Sequence, residues 1–489
     1  MVSSPNARPS SSTSPVSKTI ARPPTPRRFC YTAPVPDLLV HPAASPLHGS
    51  VPVPGDKSIA HRAILLAGLA SGVSRVEGGS MGEDNLSTLA ALRAMGVRAT
   101  EEPGGALIID GSGLQGLLAP SAPLDCGNSG TTMRLLSGVL AAQRFQTILI
   151  GDPSLSRRPM NRVAKPLRLR GAHIEGTADP RRIGEITAPL HVGPLPSPHV
   201  LASLEYELPV ASAQVKSAIL LSGLYADGPT YVVEPIVSRD HTERMLSALG
   251  VPIRAIGAMV ELDAVAWSGA LPAFSIRVPG DLSAAAFLIV AAQIVPGSRV
   301  DVRRVGINPT RTGILDVIRA MGGQIDAVAL GDELGEPVGD VHAAASSLIG
   351  GRIGGEIVPR SIDEIPIACA LAARARGETT IFDAAELRVK ESDRLATMAR
   401  VLRAFGVGVE EREDGLVIQG VPDRPLTAAD VASDGDHRVA MTAVVLALLA
   451  DGPSRVRDAG CIATSFPRFV GTMRALGAHI EVIEEEGAA

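Results

Sequence analysis

A chain of 489 residues is too long for one ordinary core, and 45% hydrophobic with 20% charged side chains is the balance of a globular protein of two or three domains. The net charge of −5 excludes general nucleic-acid binding, which needs a basic surface, while leaving room for a local basic pocket around a small anion. No apolar run approaches the ~18–20 uninterrupted residues of a membrane span, and the four scattered cysteines (Cys30, Cys126, Cys369, Cys461) form neither a metal-ligand spacing nor a disulfide framework, as expected in a reducing compartment.

Along the chain, residues 1–35 come first. Rich in Ser, Pro, Thr and Arg and free of acidic residues, they lack the apolar surface to fold and are expected to be a disordered extension. The same composition fits an organelle transit peptide, although the prolines oppose the amphipathic helix such a peptide needs.

At Val51 begins "VPGDKSIAHRAILLAGLASG", a polar opening followed by an Ala/Leu-rich helical run and a Gly. A second helical run, "LAALRAMGV" from Leu89, and a β-rich stretch, "ALIID" from Ala106, follow. The pattern then recurs. "CGNSGTTMRLLSGVLAA" opens at Cys126, "ASAQVKSAILLSGLYADG" at Ala211 and "VPGDLSAAAFLIVAAQIVPG" at Val278. "IDEIPIACALAARARGETT" opens at Ile362 and "GDHRVAMTAVVLALLADG" at Gly435. Second runs closing on Gly begin at Lys165, Met245, Leu315, Ala399 and Thr472, with β-rich stretches such as "TILIG" (Thr147), "TYVVEP" (Thr230) and "GLVIQG" (Gly415) between them. Openings roughly 70–85 residues apart make this an internal repeat of six units. Runs such as "AAAFLIVAA" from Ala284 are apolar on every side, so the first helix of each unit is expected to be buried. The fold class predicted is α/β (α+β): two similar domains of three units, each wrapped around central helices, the Val278 phrase opening the second.

The openings also carry the chemistry. A buried helix start presents unsatisfied N–H groups and the positive end of the helix dipole, a natural anion site. Lys57, Ser58 and Arg62 stand at the first opening, Asn128, Ser129 and Thr131 at the second, Ser212, Gln214 and Lys216 at the third. Asp363 and Glu364 stand at the fifth, Asp436, His437 and Arg438 at the sixth; the fourth, "GDLSAAAF", has lost most of this equipment and reads as structural. Converging starts would make one polar cleft between two apolar domains. Plainer readings stand beside this one. Asp363 could be an N-cap, Asp436 could cap its helix and pair with Arg438, and Glu391 with Arg394 could be a solvated pair at helical spacing. His61, His241 and His437 lack metal spacing and read as structural, and Cys126 reads as a small core residue.

The ordered phrases "GDKSIAHR", "GNSGTTMR", "SLSRRPM", "SAQVK", "SRDHTE", "ELRVKESDRL" and "GDHRVAM" resemble the signatures of the 5-enolpyruvylshikimate-3-phosphate synthase family, its class II branch in particular, from about Val51 to about Ile480. The resemblance implies βαβαββ units, three per domain: residues 56–272 for the first domain, 36–55 with 273–482 for the second, and 483–489 as a tail. It implies a transferase of the shikimate pathway, on the route to aromatic amino acids. Such an enzyme moves the enolpyruvyl group of phosphoenolpyruvate to the 5-hydroxyl of shikimate 3-phosphate and releases phosphate. It further implies no metal or organic cofactor, those two small molecules as the only partners, no nucleic acid or membrane, and a cytoplasmic monomer.

Carried over motif by motif, Lys57, Ser58, Arg62, Ser212, Ala213, Gln214, Arg239, Asp363 and Lys390 would hold shikimate 3-phosphate. Lys57, Gly130, Arg158, Gln214, Arg394 and Arg438 would hold phosphoenolpyruvate. Asp363 is the expected base for the hydroxyl proton, with Glu391 and Lys57 as acid/base partners. In "CIATSFP", Thr464 and Ser465 stand where many relatives have a lysine; Gly130 stands where some herbicide-tolerant relatives carry alanine, so glyphosate is an expected inhibitor. Two alternatives remain. A UDP-N-acetylglucosamine enolpyruvyl transferase shares fold and donor, but has Lys-Asn in place of Lys57-Ser58 and a loop cysteine unmatched here. A non-catalytic anion-binding repeat scaffold is opposed by intact Lys57, Asp363, Glu391 and Arg394.

Overall fold

The computed structural model describes residues 36–79, 82–265 and 267–483; the extension expected at 1–35, and all of the tail but Ile483, lie outside these. Helices come in pairs, one pair per unit. The first three pairs are α1 (Lys57–Leu69) with α2 (Glu83–Ala94), α3 (Gly130–Leu140) with α4 (Asn161–Leu169), and α5 (Ala213–Gly223) with α6 (His241–Ala248). Then come α7 (Leu282–Ile294) with α8 (Gly313–Ala320), a short α9 (Ile357–Ser361), α10 (Ile365–Arg374) with α11 (Arg394–Ala404), and α12 (His437–Ala447) with α13 (Phe469–Ala475). Every residue of α7 is buried, as an all-apolar helix requires.

The strands form six sheets, one per unit, and the second, third and fifth units build theirs from their own strands. In the third, Leu204–Glu207 runs parallel to Thr230–Val233, with α5 as the crossover a parallel pair needs; the latter pairs antiparallel with Met259–Leu262, itself hairpinned to Ile253–Ile256. That is the βαβαββ order, and the fifth unit repeats it with Arg352–Ile353, Glu378–Ile381, Gly408–Arg412 and Gly415–Gln419.

Two units exchange their first strands. His48–Pro52 precedes α1 yet pairs parallel with Arg299–Gly306 beyond α7, whereas Ser275–Arg277 precedes α7 yet pairs parallel with Ala70–Glu77 beyond α1. The two crossovers meet at a bridge between Gly55 and Gly280. A Cβ on Gly55 would lie 2.1 Å from the Gly78 carbonyl oxygen, so the close passage requires glycine. The sixth unit borrows its last strand from the far end of the chain: Asp37–Val40 lies between Ser454–Arg457 and Ile480–Ile483, antiparallel to both.

Buried apolar side chains form two separate clusters. One gathers α1, α3 and α5 and extends from Ile59 to Val278; the other gathers α7, α10 and α12 together with Leu38–Val51. Beyond residue 272, where the second domain was expected to begin, Ser275–Arg277 still pairs in the first sheet and Ile276 and Val278 pack in the first cluster. Among the described residues no helix is long and apolar enough to cross a membrane.

Candidate active site

Five of the six first helices begin at a side-chain cap. Asp56, Ser129, Ser212, Asp281 and Asp436 each accept a backbone N–H two or three residues on. The exception is α10, where Glu364 occupies the cap position without such a bond and the Asp363 carboxylate is engaged elsewhere. The plain-cap reading thus holds for Asp436 and fails for Asp363. Asp436 pairs with Arg394 rather than with Arg438.

On the first core, Lys57 opens α1 and ion-pairs with Asp84 of α2. Burial alone would raise the Asp84 carboxyl, but Lys57 beside it holds it below its ordinary value. Arg62 turns inward, its Nε donating to Thr242 Oγ1 at 2.7 Å, Nη2 to Ser217 Oγ at 2.6 Å and Nη1 to the Ser58 carbonyl at 3.0 Å. Ser212 caps α5 and Ala213 is its first residue. Directly after it, Gln214 links the second and third units: Nε2 donates to Thr131 Oγ1 at 2.8 Å and Oε1 accepts from Arg134. Arg158 Nη2 donates to Asn128 Oδ1 at 2.7 Å. Gly130 sits between these arginines, where a Cβ would lie 2.8 Å from Arg134 Nη1 and 3.3 Å from Arg158 Nη1.

On the second core the charges converge on Asp363. Arg239, arriving from the first core, donates to Asp363 Oδ2 at 2.5 Å; Arg394 approaches Oδ1 at 3.4 Å, and Arg311 and Arg438 lie 3.9 Å from Oδ2. Arg438 also donates to the Asp363 carbonyl at 3.0 Å. Burial would raise this carboxyl, yet the guanidinium groups, Arg239 foremost, hold it well below the usual carboxylate range. Arg394 is 1% exposed and faces Glu391 (2.6 Å) and Asp436 (2.8 Å) as well. Glu391 is likewise pulled down by Arg394 against its burial. Lys390 lies 3.6 Å from Glu386.

The structure thus brings Arg239, Asp363, Glu391, Arg394 and Arg438 into one connected cluster, with Gly130, Arg158 and Gln214 forming a second on the first core. The two face each other: Arg158 is close enough to help lower Glu391, and Arg134 is influenced by Glu386. Three participants were not singled out from the sequence. Arg134 is buried, no carboxylate among the described residues ion-pairs with it, its Nε has no hydrogen-bond partner, and burial lowers its guanidinium to about 9. A cation held that way is equipped for an incoming anion. Its signal was its position one helical turn after Gly130 in "GNSGTTMR". Asp84 and Arg311 carried no local signal. Arg311 ties the two crossovers by facing Asp281 at 3.1 Å, Ser283 Oγ at 2.9 Å and Asp56 at 3.4 Å.

Two of the histidines are held by buried neighbours. His61 Nδ1 lies 2.7 Å from Thr88 Oγ1, and His241 Nδ1 lies 2.8 Å from Glu336 Oε1. Cys126 is buried in the first core, and burial pushes its thiol up to about 12. Burial lowers both His61 and His437 to about 3. Each is therefore neutral when folded but takes a proton when unfolded, so stability declines as pH falls from about 6.5 to about 3, by roughly 1.4 kcal/mol per pH unit per histidine. Urea unfolding of His61→Gln between pH 6 and pH 4 should show a slope shallower by about that amount; an unchanged slope would mean that His61 already protonates in the folded state.

The sequence model of the EPSP synthase (3-phosphoshikimate 1-carboxyvinyltransferase) family matches residues 42–473. The 3-phosphoshikimate 1-carboxyvinyltransferase of Geobacter sulfurreducens is 51% identical over 440 residues, covering 89% of this chain and 98% of that one. That of Acidithiobacillus ferrooxidans is 50% identical over 444 residues, covering 91% and 98%. Among solved structures, an EPSP synthase from Acinetobacter baumannii superposes with a TM-score of 0.82 at 42% identity, covering 92% of this chain and 100% of that one. The enolpyruvyl transferase NikO from Streptomyces tendae, at 19% identity and a TM-score of 0.71 over 92% of this chain and 99% of that one, shares the fold.

Proposed function

Since the chain belongs to the EPSP synthase (3-phosphoshikimate 1-carboxyvinyltransferase) family, it is an enzyme of the shikimate pathway that transfers an enolpyruvyl group, and we propose that the cleft around Asp363 is where it does so. The observation that carries this reading is one carboxylate reached by Arg239 from the first core and by Arg394 and Arg438 from the second. The acceptor is shikimate 3-phosphate and the donor phosphoenolpyruvate. Each brings a phosphate and a carboxylate, and forked guanidinium groups match both bidentately. We assign Lys57, Ser58, Arg62, Ser212, Ala213, Gln214, Arg239, Asp363 and Lys390 to the acceptor. Lys57, Gly130, Arg158, Gln214, Arg394 and Arg438 go to the donor, joined by Arg134.

The chemistry is addition followed by elimination. The methylene carbon of phosphoenolpyruvate takes a proton, its C2 becomes cationic, and the 5-hydroxyl oxygen attacks while its proton passes to Asp363. Loss of phosphate, with a proton from the methyl carbon, restores the double bond. Lys57, ion-paired with Asp84, is equipped to give a proton, and Glu391, held ionised by Arg394, to take one. While Arg239 and Arg438 face it, Asp363 is a weak base. A substrate phosphate that takes over Arg239 raises its basicity where the hydroxyl arrives. We take the two cores as two domains whose closure excludes water from the cationic centre. We read the protein as a cytoplasmic monomer with no nucleic-acid partner.

Phosphate release from phosphoenolpyruvate, measured with shikimate 3-phosphate and separately with UDP-N-acetylglucosamine, tests the reading. Release with shikimate 3-phosphate alone is expected. Release with the nucleotide sugar would replace the acceptor, and phosphate binding without turnover would leave an anion-binding scaffold.

The donor side has its own test. Gly130→Ala puts a methyl 2.8 Å from Arg134 Nη1, where that guanidinium must shift. Inhibition by glyphosate is expected to weaken by about tenfold or more, worth ~1.4 kcal/mol, while the KM for phosphoenolpyruvate rises less and kcat changes little. Undiminished inhibition of the variant would remove Gly130 from the donor site.

A further inference from the structure

Far along the second core from the cleft, on the sheet that joins both ends of the described chain, three metal-ligating side chains meet. His41 directly follows strand Asp37–Val40, and His479 and Glu481 lie at the start of its antiparallel neighbour Ile480–Ile483. The register Val40↔Ile480 sets His41 opposite His479, whose carbonyl accepts the His41 N–H at 2.9 Å. The two-residue repeat of a strand then puts Glu481 on the same face as His479. We propose that His41, His479 and Glu481 form a surface site for a divalent transition-metal ion of the zinc type, separate from the enolpyruvyl-transfer site.

The spacing of the donor atoms carries the proposal. The two imidazoles stack with centroids 4.0 Å apart and planes 10° from parallel, so their Nε2 lone pairs run side by side and one ring turns out of the stack to bring both onto one ion. Nε2 of His41 and Nε2 of His479 lie 2.8 and 3.4 Å from the same oxygen, Glu481 Oε1, and all the ligand atoms fall within 4.8 Å of one another. Around a tetrahedral zinc ion with bonds of ~2.0–2.2 Å, neighbouring ligand atoms sit roughly 3.3 Å apart. The three groups therefore stand close to the separations of a first shell, and the exposure of His479 (65%) and Glu481 (50%) leaves the fourth position to water. Two imidazoles and one carboxylate suit zinc, nickel or copper and not magnesium or calcium, which prefer all-oxygen shells.

Such an ion would act as a clip. Ile480–Ile483 is an edge strand whose one partner in its sheet is Asp37–Val40. A metal bridging residue 41 to 479 and 481 ties that edge across nearly the whole chain, and closing a long loop constrains the unfolded ensemble strongly.

The test is titration of the metal-free full-length protein with ZnCl2, followed by calorimetry and by amide exchange of residues 480–483. One ion per chain is expected, saturating by about 100 µM, a hundred times a micromolar Kd, with slower exchange in that strand and a higher Tm. His479→Ala and Glu481→Gln should each weaken binding at least about tenfold and remove the exchange effect, while MgCl2 has no effect on any of the three proteins. Unaltered phosphate release would show that both variants are folded. No saturable binding by that concentration, or binding equally tight in both variants, would overturn the site.

Discussion

Asp363→Asn is expected to lower kcat for phosphate release by about 10²–10⁴-fold, the range that a positioned general base supplies. The substitution keeps the shape of the side chain and removes its charge and basicity. Its effect on binding should run the other way. Asp363 competes with substrate anions for Arg239 at 2.5 Å and for Arg438 at 3.9 Å, so its neutralisation frees donors and the KM values should hold or fall. A large kcat loss with unchanged or lower KM therefore assigns Asp363 to proton transfer. If it serves solely to organise the arginines, kcat stays within a few-fold while KM rises, and the base must be sought elsewhere.

Arg394→Met should cost both stability and activity. Arg394 faces Asp363, Glu391 and Asp436, and Asp436 is wholly buried. Removing the cation from such a cluster leaves buried carboxylates without compensation, a loss of about 3–5 kcal/mol. The pH dependence has a definite sign. In the wild type these carboxyls are held below their unfolded values, so the stability they contribute is complete above about pH 4 and lost as pH falls toward the folded values. In the variant the same buried carboxyls lose the Arg394 cation and are pushed up by burial, so they take up protons as pH falls from 7 to 4 and the gap between the two proteins should narrow over that range. Urea unfolding at both pH values measures it; a gap independent of pH would mean that lost packing, not lost charge, explains the cost. Arg394→Lys separates the two roles: the charge remains, so most stability is retained, while loss of the fork for the donor carboxylate should still depress kcat/KM by about 100-fold, ~2.7 kcal/mol.

Much of the candidate site could be proposed from the sequence because its residues cluster at helix starts. Lys57, Ser212, Asp363 and Arg438 each stand at a small or polar opening before an apolar run, and a helix start is a local feature. Arg62 lay in the same phrase, yet its guanidinium turns to Thr242 and Ser217, a choice made by residues 180 and 155 positions away. Arg134 was not singled out; burial without a carboxylate partner among the described residues is what sets it apart.

What the sequence determined by itself was the sixfold repeat, the buried first helices and the order of the motifs, because helix periodicity, apolar runs and caps are written within a few residues of one another. Tertiary structure alone decided that His48–Pro52 and Ser275–Arg277 exchange units, that Asp37–Val40 closes the last sheet, and that Arg239 meets Asp363 across 124 residues of chain. A strand of three to five residues carries no record of its partner, and an ion pair between distant helix starts has no local spacing. Both are settled when two apolar cores pack and the charges that do not fit inside either one are left facing each other between them.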